Sequence, residues 1–158
     1  MESLKSKIIS NKELRDLINY SSLIDETYIN FNGNSKHKFS KILESSLKKS
    51  LALDSKINNE IKQMNGLSGR KYRYMINNII SLMKPSKYLE IGSWLGSTAC
   101  SAIFNNELKI TCIDNWSEFL KTVDNPEEIF KKNINKYINK KVNFNFYNND
   151  FRKLITKK

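Results

Sequence analysis

The 158-residue sequence predicts an α/β fold with a parallel sheet, preceded by a helical region. Three observations carry this. After Pro85, short runs rich in β-branched residues alternate with helix-length segments. Before Pro85, apolar residues recur at helical spacing. Turn-forming clusters of glycine and asparagine separate the segments.

Residues 1–66 form the expected N-terminal helical region. Leu14, Leu17 and Ile18 mark a helix around Lys12 to Tyr20, and Phe39, Ile42, Leu43 and Leu47 mark a second. Between them Asn30 to Ser35 is turn-rich, and another break falls at Asn65-Gly66-Leu67-Ser68-Gly69. From Arg70 to Met83 the residues Tyr72, Met75, Ile76, Ile79, Ile80 and Met83 share one face, which reads as core packing. Ser68 is the expected N-cap and Pro85 ends the run.

The second region, 67–158, changes character. Residues 87–91 read as a strand ending in glycine, 97–106 as a helix, and 109–114 as a second strand. Pro126 opens a helix to about Asn139, with Ile129, Phe130, Ile134, Tyr137 and Ile138 inward. Val142, Phe144 and Phe146 then alternate with Asn143 and Asn145, the pattern of a half-exposed strand near a sheet edge. The resulting β-α-β-α-β order implies parallel strands joined by right-handed crossovers.

Composition bounds the function. Lys and Arg number 27 against 16 Asp and Glu, a formal charge of +11. The charge is dispersed, at +7 over residues 1–85 and +4 over 86–158. Asn, Lys and Ile make up 63 of the 158 residues and all have A/T-rich codons, so base composition accounts for much of the lysine. Nucleic acid is therefore not the expected partner, and an anionic membrane is not either. No apolar run approaches a membrane span and the start, MESLKSKIIS, lacks a secretory signal, so a cytoplasmic location is expected. Cys100 and Cys112 have no C-x-x-C or Cys/His partner; they read as reduced core thiols, with no metal site.

In open α/β sheets, ligands bind beyond the carboxyl ends of the strands, and the informative residues lie there. The first strand runs into Glu90-Ile91-Gly92-Ser93-Trp94-Leu95-Gly96-Ser97-Thr98. Gly92 permits a sharp turn, and Gly96 permits close approach of backbone to ligand and of helix to sheet. The helix that follows offers free N–H groups to an electron-rich group. Asp114 ends the second strand, where a carboxylate can accept both hydroxyls of a ribose. Asn148-Asn149-Asp150 end the third, where polar groups can read an adenine edge. Each feature alone is explained by turn formation; their joint placement on consecutive strand ends points to a nucleoside-type ligand.

The segments YLEIGSWLGSTAC, ITCIDNWSEF and FNFYNNDFRKL resemble the class I S-adenosylmethionine-dependent methyltransferases over roughly residues 65 to 155. The resemblance implies a Rossmann-like three-layer α/β/α fold and S-adenosyl-L-methionine as cofactor. It places the methionine part on Glu90, Gly92 and the turn of Ser93, Trp94, Gly96, Ser97 and Thr98. The ribose falls to Asp114 with Asn115 beside it, one side of the nucleoside to Trp116, and the adenine to Asp150 and Phe151. Gly66 to Tyr72 is similar to the lead-in of small-molecule and sugar methyltransferases, so a small-molecule or sugar acceptor is expected. A dinucleotide-binding domain fits less well: its G-x-G-x-x-G fingerprint is broken by Trp94, which would crowd a pyrophosphate.

The resembled fold has seven strands, whereas this chain supplies three. It is expected to be a fragment, the N-terminal half of the fold, with the first strand's edge open to self-association. Catalytic residues are not identifiable: His37 lies in a polar stretch, and Glu118, Asp124, Glu127 and Glu128 read as exposed acids near a helix start. The competing functional class is a non-catalytic module binding a nucleoside ligand or nucleic acid.

Overall fold

A computed structural model describes residues 36–118 and 123–155, all within one compact unit that begins at Lys36. Its elements are α1 (Lys38–Leu51), α2 (Asn59–Gln63), α3 (Arg70–Leu82), β1 (Ser86–Ile91), α4 (Ser97–Ile103), β2 (Leu108–Asp114), α5 (Pro126–Tyr137), β3 (Val142–Asn148) and α6 (Phe151–Ile155). The helix expected around Lys12 to Tyr20 and the turn from Asn30 to Ser35 lie outside the described residues. Residues on both sides of position 66 belong to the same unit.

The sheet is parallel and runs β1-β2-β3 in chain order. Its register aligns Glu90, Cys112 and Phe146 across the three strands. Strand β3 is an edge strand, as its alternating sequence predicts. Ala99, Cys100, Ala102 and Ile103 of α4 and Phe130 and Ile134 of α5 form one apolar cluster with Ile110 and Cys112 of β2. Tyr88, Val142, Phe144 and Phe146 pack against that cluster from the same side of the sheet.

The expected three-layer arrangement is corrected to two layers among the described residues. On the second face the cross-strand rows are Lys87-Lys109-Asn143, Leu89-Thr111-Asn145 and Ile91-Ile113-Tyr147. Leu89 is 58% exposed and Ile91 48%. The reason is topological. Right-handed crossovers between strands laid down in one direction place every helix on the same face, and helices reach the other face where the strand order reverses.

The N-terminal helices differ from the sequence expectation in which residues they bury. In α1 the buried positions are Ser46 and Ser50, while Phe39 and Leu43 stay exposed. Small side chains there let α1 approach α3 closely. In α3, Ile76 and Ile80 are buried as expected, but Tyr72 is exposed and Arg73, Asn77 and Asn78 are inside. These polar groups are satisfied by carbonyls and hydroxyls of other segments, which periodicity does not register. The Asn77 Oδ1 accepts from Ser55 Oγ at 2.8 Å and Lys56 N at 3.2 Å, while its Nδ2 donates to Ser101 O at 2.8 Å and Phe104 O at 3.0 Å. The Arg73 Nη1 donates to Ile61 O at 2.9 Å, Lys62 O at 3.2 Å and Met64 O at 2.7 Å. Gly69, not Ser68, is the N-cap of α3; the Ser68 hydroxyl accepts from Arg73 Nε at 3.0 Å instead.

Replacing Asn77 by Ala orphans four buried or half-buried partners at once. The variant is expected to lose about 3 kcal/mol of stability, the scale set by leaving buried groups unsatisfied. Urea denaturation measures it, and a loss of a few tenths would show that water replaces the amide without cost.

Candidate functional site

The carboxyl ends of all three strands converge on a cavity of about 250 Å³. Ile91, Gly92 and Trp94 line it from β1, Ile113 to Glu118 from β2, and Asn149 to Arg152 from β3, with Leu67 completing the wall. Convergence follows from the ladders. Gly92 N donates to Ile113 O at 2.9 Å and Asn149 N donates to Asp114 O at 2.9 Å, extending the pairing just past the strand ends.

Asp114 holds two of the three loops in place. Its Oδ2 accepts from Trp94 N and its Oδ1 from Trp116 N, both at 2.7 Å. A third link runs from Trp116 Nε1, which donates to Trp94 O at 2.9 Å. Both tryptophans have left-handed backbone, φ +43° at Trp94 and +49° at Trp116. Bulky residues avoid that region, so the carboxylate and the indole bond hold a conformation the local sequence disfavours. An ionised carboxylate has about four lone-pair sites, which leaves Asp114 capacity for further donors.

The two glycines of the first loop do different work. Both have φ +82°. At Gly96 an added Cβ would lie 2.9 Å from Phe130 Cδ2, so this glycine serves helix packing. At Gly92 an added Cβ would meet nothing within 4 Å, and this glycine faces the cavity.

Seven of the twelve residues expected from the sequence line the cavity: Gly92, Trp94, Asp114, Asn115, Trp116, Asp150 and Phe151. Trp116 is also core, only 6% exposed and tilted against Phe130 at 5.4 Å between ring centroids. Glu90, Ser93, Gly96, Ser97 and Thr98 are not among the lining residues. Ser97 instead meets the loop before α3, its Oγ 3.1 Å from Ser68 Oγ, with Gly66 leaving the necessary room. Asn149, expected with its neighbours to read an adenine edge, also lines the cavity, as does Glu118, which the sequence marks only as an exposed acid; Leu67, Ile91, Ile113, Ser117 and Arg152 line it without having been assigned a role. The strand-end positions Ile91 and Ile113 were recoverable from their neighbours; Leu67 and Arg152 carried no local signal.

Electrostatics separates the acids. Arg152 grips Asp150 with Nε to Oδ1 at 2.9 Å and Nη2 to Oδ2 at 2.5 Å, and these bonds hold the Asp150 carboxyl down to about 2. Glu90 is buried, with Tyr88 Oη donating to Oε2 at 2.8 Å and no hydrogen bond of normal geometry at Oε1 among the described residues. Burial pushes the Glu90 carboxyl up, while the hydroxyls of Thr98, Tyr88 and Ser93 pull the other way. The Ser93 hydroxyl is likewise buried, near the Glu90 carboxyl but without a hydrogen bond of normal geometry among the described residues. Cys100 and Cys112 are free and buried, and burial pushes both thiols up out of the reactive range. His37 is exposed and caps α1, its Nδ1 accepting from Phe39 N at 3.3 Å.

Comparison with known proteins gives no match: no family model, no curated protein and no solved structure is similar enough to this chain to count. No described helix is long and apolar enough to cross a membrane.

Two outcomes follow. With its folded pKa raised, Glu90 binds its proton more tightly in the folded state than in the unfolded chain. Its contribution is then complete below the ordinary carboxylate pKa and is lost as pH rises through the folded value. Glu90→Gln is expected to melt like wild type in acid and increasingly higher than wild type as pH rises past the ordinary carboxylate range; parallel melting curves across pH would contradict the assignment. For the glycines, Gly92→Ala should lose only the left-handed backbone penalty of about 1–2 kcal/mol. Gly96→Ala should lose more because Phe130 must also move, and equal losses in urea titrations would remove the packing role.

Proposed function

We propose that this chain binds S-adenosyl-L-methionine at the strand ends and serves methyl transfer to a small-molecule or sugar acceptor. The observation that supports this most is the joint contribution of the Gly92 turn, Asp114 and the Asn149-Asp150 segment to one cavity. The group fits the residues present on two counts. Gly92 leaves open space where a ligand approaches, and Glu90 Oε1 and Ser93 Oγ at that turn are buried with no hydrogen bond of normal geometry among the described residues.

In this reading Asp114 accepts from the ribose hydroxyls with the lone pairs that Trp94 N and Trp116 N leave over. Glu90 and Ser93, buried behind the Gly92 turn and off the cavity wall, support that turn at the end where the methionine part would lie. Asp150, already paired with Arg152, and Phe151 border the adenine. When bound, the cofactor supplies an electrophilic methyl on a positively charged sulfur. What the chain contributes is positioning, because holding donor and acceptor in near-attack geometry lowers the barrier of an in-line displacement. Leu67, Ile91 and Ile113 give the same cavity an apolar side. A base is needed only for acceptors that must lose a proton, and none is assigned here.

Calorimetry on the full chain tests the reading. S-adenosylmethionine or S-adenosylhomocysteine should bind more tightly than NAD, and the reverse order would sink the proposal. Asp114→Asn keeps an acceptor for one of the two loop amides and is expected to weaken cofactor binding by about 1.5–3 kcal/mol, the range for hydrogen bonds to a charged group. A parallel thermal melt separates lost binding from a disturbed loop.

A further inference from the structure

We infer that Leu67 is a specificity-determining contact for the group carried on the 5′-carbon of a bound nucleoside, and that Arg73, Ser68 and Ser97 hold it there as positioning residues. The inference rests on the nucleoside reading of the cavity given above and names the part of the ligand that the loop before α3 selects.

That loop reaches the cavity wall at one residue. Leu67 lines the cavity, while Gly66 and Ser68 on either side of it do not. Both neighbours are fastened behind the wall. Ser68 Oγ accepts from Arg73 Nε at 3.0 Å and lies 3.1 Å from Ser97 Oγ. Gly66 packs so closely on the same two side chains that an added Cβ would lie 2.6 Å from Ser97 Cβ and 3.0 Å from Arg73 Nη2. One residue pair earlier, Met64 O accepts from Arg73 Nη1 at 2.7 Å, and the same nitrogen reaches two carbonyls of α2. Arg73 and Ser97 are themselves buried. The main chain on both sides of Leu67 is therefore fixed, which gives its side chain a set place in the wall. Ser97, expected from the sequence to touch the cofactor, serves it through this loop instead.

The side of the cavity that Leu67 bounds follows from Ser97. This serine opens α4 directly after the loop that leaves β1, so Leu67 stands on the β1 side. The sheet order puts Asn149 to Arg152 on the opposite side, two strand spacings or about 10 Å away. A nucleoside whose ribose meets Asp114 on the central strand, and whose base lies toward Asp150 and Phe151, directs its 5′ substituent to β1. There it meets Leu67 and Ile91, aliphatic side chains that offer dispersion and no hydrogen bond. Such a wall favours a polarisable apolar group, of which a thioether is one. It disfavours a free hydroxyl or a phosphate, whose hydrogen bonds to water it cannot replace.

Calorimetry on the full chain with three probes tests the inference. S-adenosylhomocysteine and 5′-methylthioadenosine carry a thioether on the 5′-carbon, and adenosine carries a hydroxyl. Leu67→Ala should weaken both thioethers about tenfold, the scale of removing an aliphatic side chain from a buried contact, and adenosine by less than about twofold. Leu67 is 71% exposed without ligand, so this variant should melt within a few degrees of wild type. Leu67→Met, close in volume and equally apolar, should bind all three probes like wild type. Gly66→Ala should lift the loop off Ser97 and reproduce the loss on the thioethers alone. Ser68→Ala, which removes both hydroxyl links without a clash, should act in the same direction, and Ser68→Thr should restore binding. Equal weakening of all three probes by Leu67→Ala, or none, would overturn the contact. Thioether binding left unchanged by both Gly66→Ala and Ser68→Ala would overturn the positioning role. A wild-type chain that binds none of the three probes would instead remove the nucleoside reading, and this inference with it.

Discussion

Three parallel strands that follow one another in chain order must be joined by crossovers on one face, and the remaining features of this molecule arrange themselves around that constraint. Helices α4 and α5 cover one side of the sheet and bring Phe130, Ile134 and the alanines of α4 onto Ile110 and Cys112. The same constraint sends every strand's carboxyl end in one direction, so the loops after β1, β2 and β3 meet around a single cavity. It also leaves the opposite face uncovered among the described residues. Site and uncovered face thus have one cause.

Joining the N-terminal helices to this sheet is done less by apolar stripes than by buried polar side chains. Asn77 ties α3 to the loop after α1 and to the end of α4. Arg73 gathers three carbonyls from the segment around α2 and reaches Ser68 as well. Such groups are costly to bury unless satisfied and strongly directional once they are. They fix the loop of residues 64–69, and with it Leu67 at the cavity wall.

At the site itself a carboxylate serves the protein before it serves any ligand. Asp114 anchors the amides of Trp94 and Trp116, and the indole of Trp116 closes the circuit to Trp94 O. Two left-handed tryptophans are held this way without a glycine at either place. A cavity built on such a node is preorganised, because the loops that would contact a ligand are already fixed to one another. Glu90 Oε1 and Ser93 Oγ are the counterpart, buried groups that make no hydrogen bond of normal geometry among the described residues.

The order of strands and helices after Pro85 was legible in the sequence, as were the half-exposed third strand and the gathering of Gly92, Asp114 and Asp150 at strand ends. Those features depend on local periodicity and turn chemistry, which a short window contains. Which face of an element is covered is a different matter. Phe39 and Leu43 share a helical face with Ser46 and Ser50, yet only the serines are buried, toward the end of the helix where Asn77 and Asn78 of α3 bond the chain at Asp54 and Ser55. Gly96 is required by Phe130, thirty-four positions away, and Ser97 by the loop at Gly66. Arg73 and Asn77 are interior because distant carbonyls and hydroxyls receive them. The sequence by itself determined which residues could share a face and which strand ends carried polar groups; tertiary structure decided what each face meets, since packing and hydrogen-bond satisfaction are set by partners far along the chain.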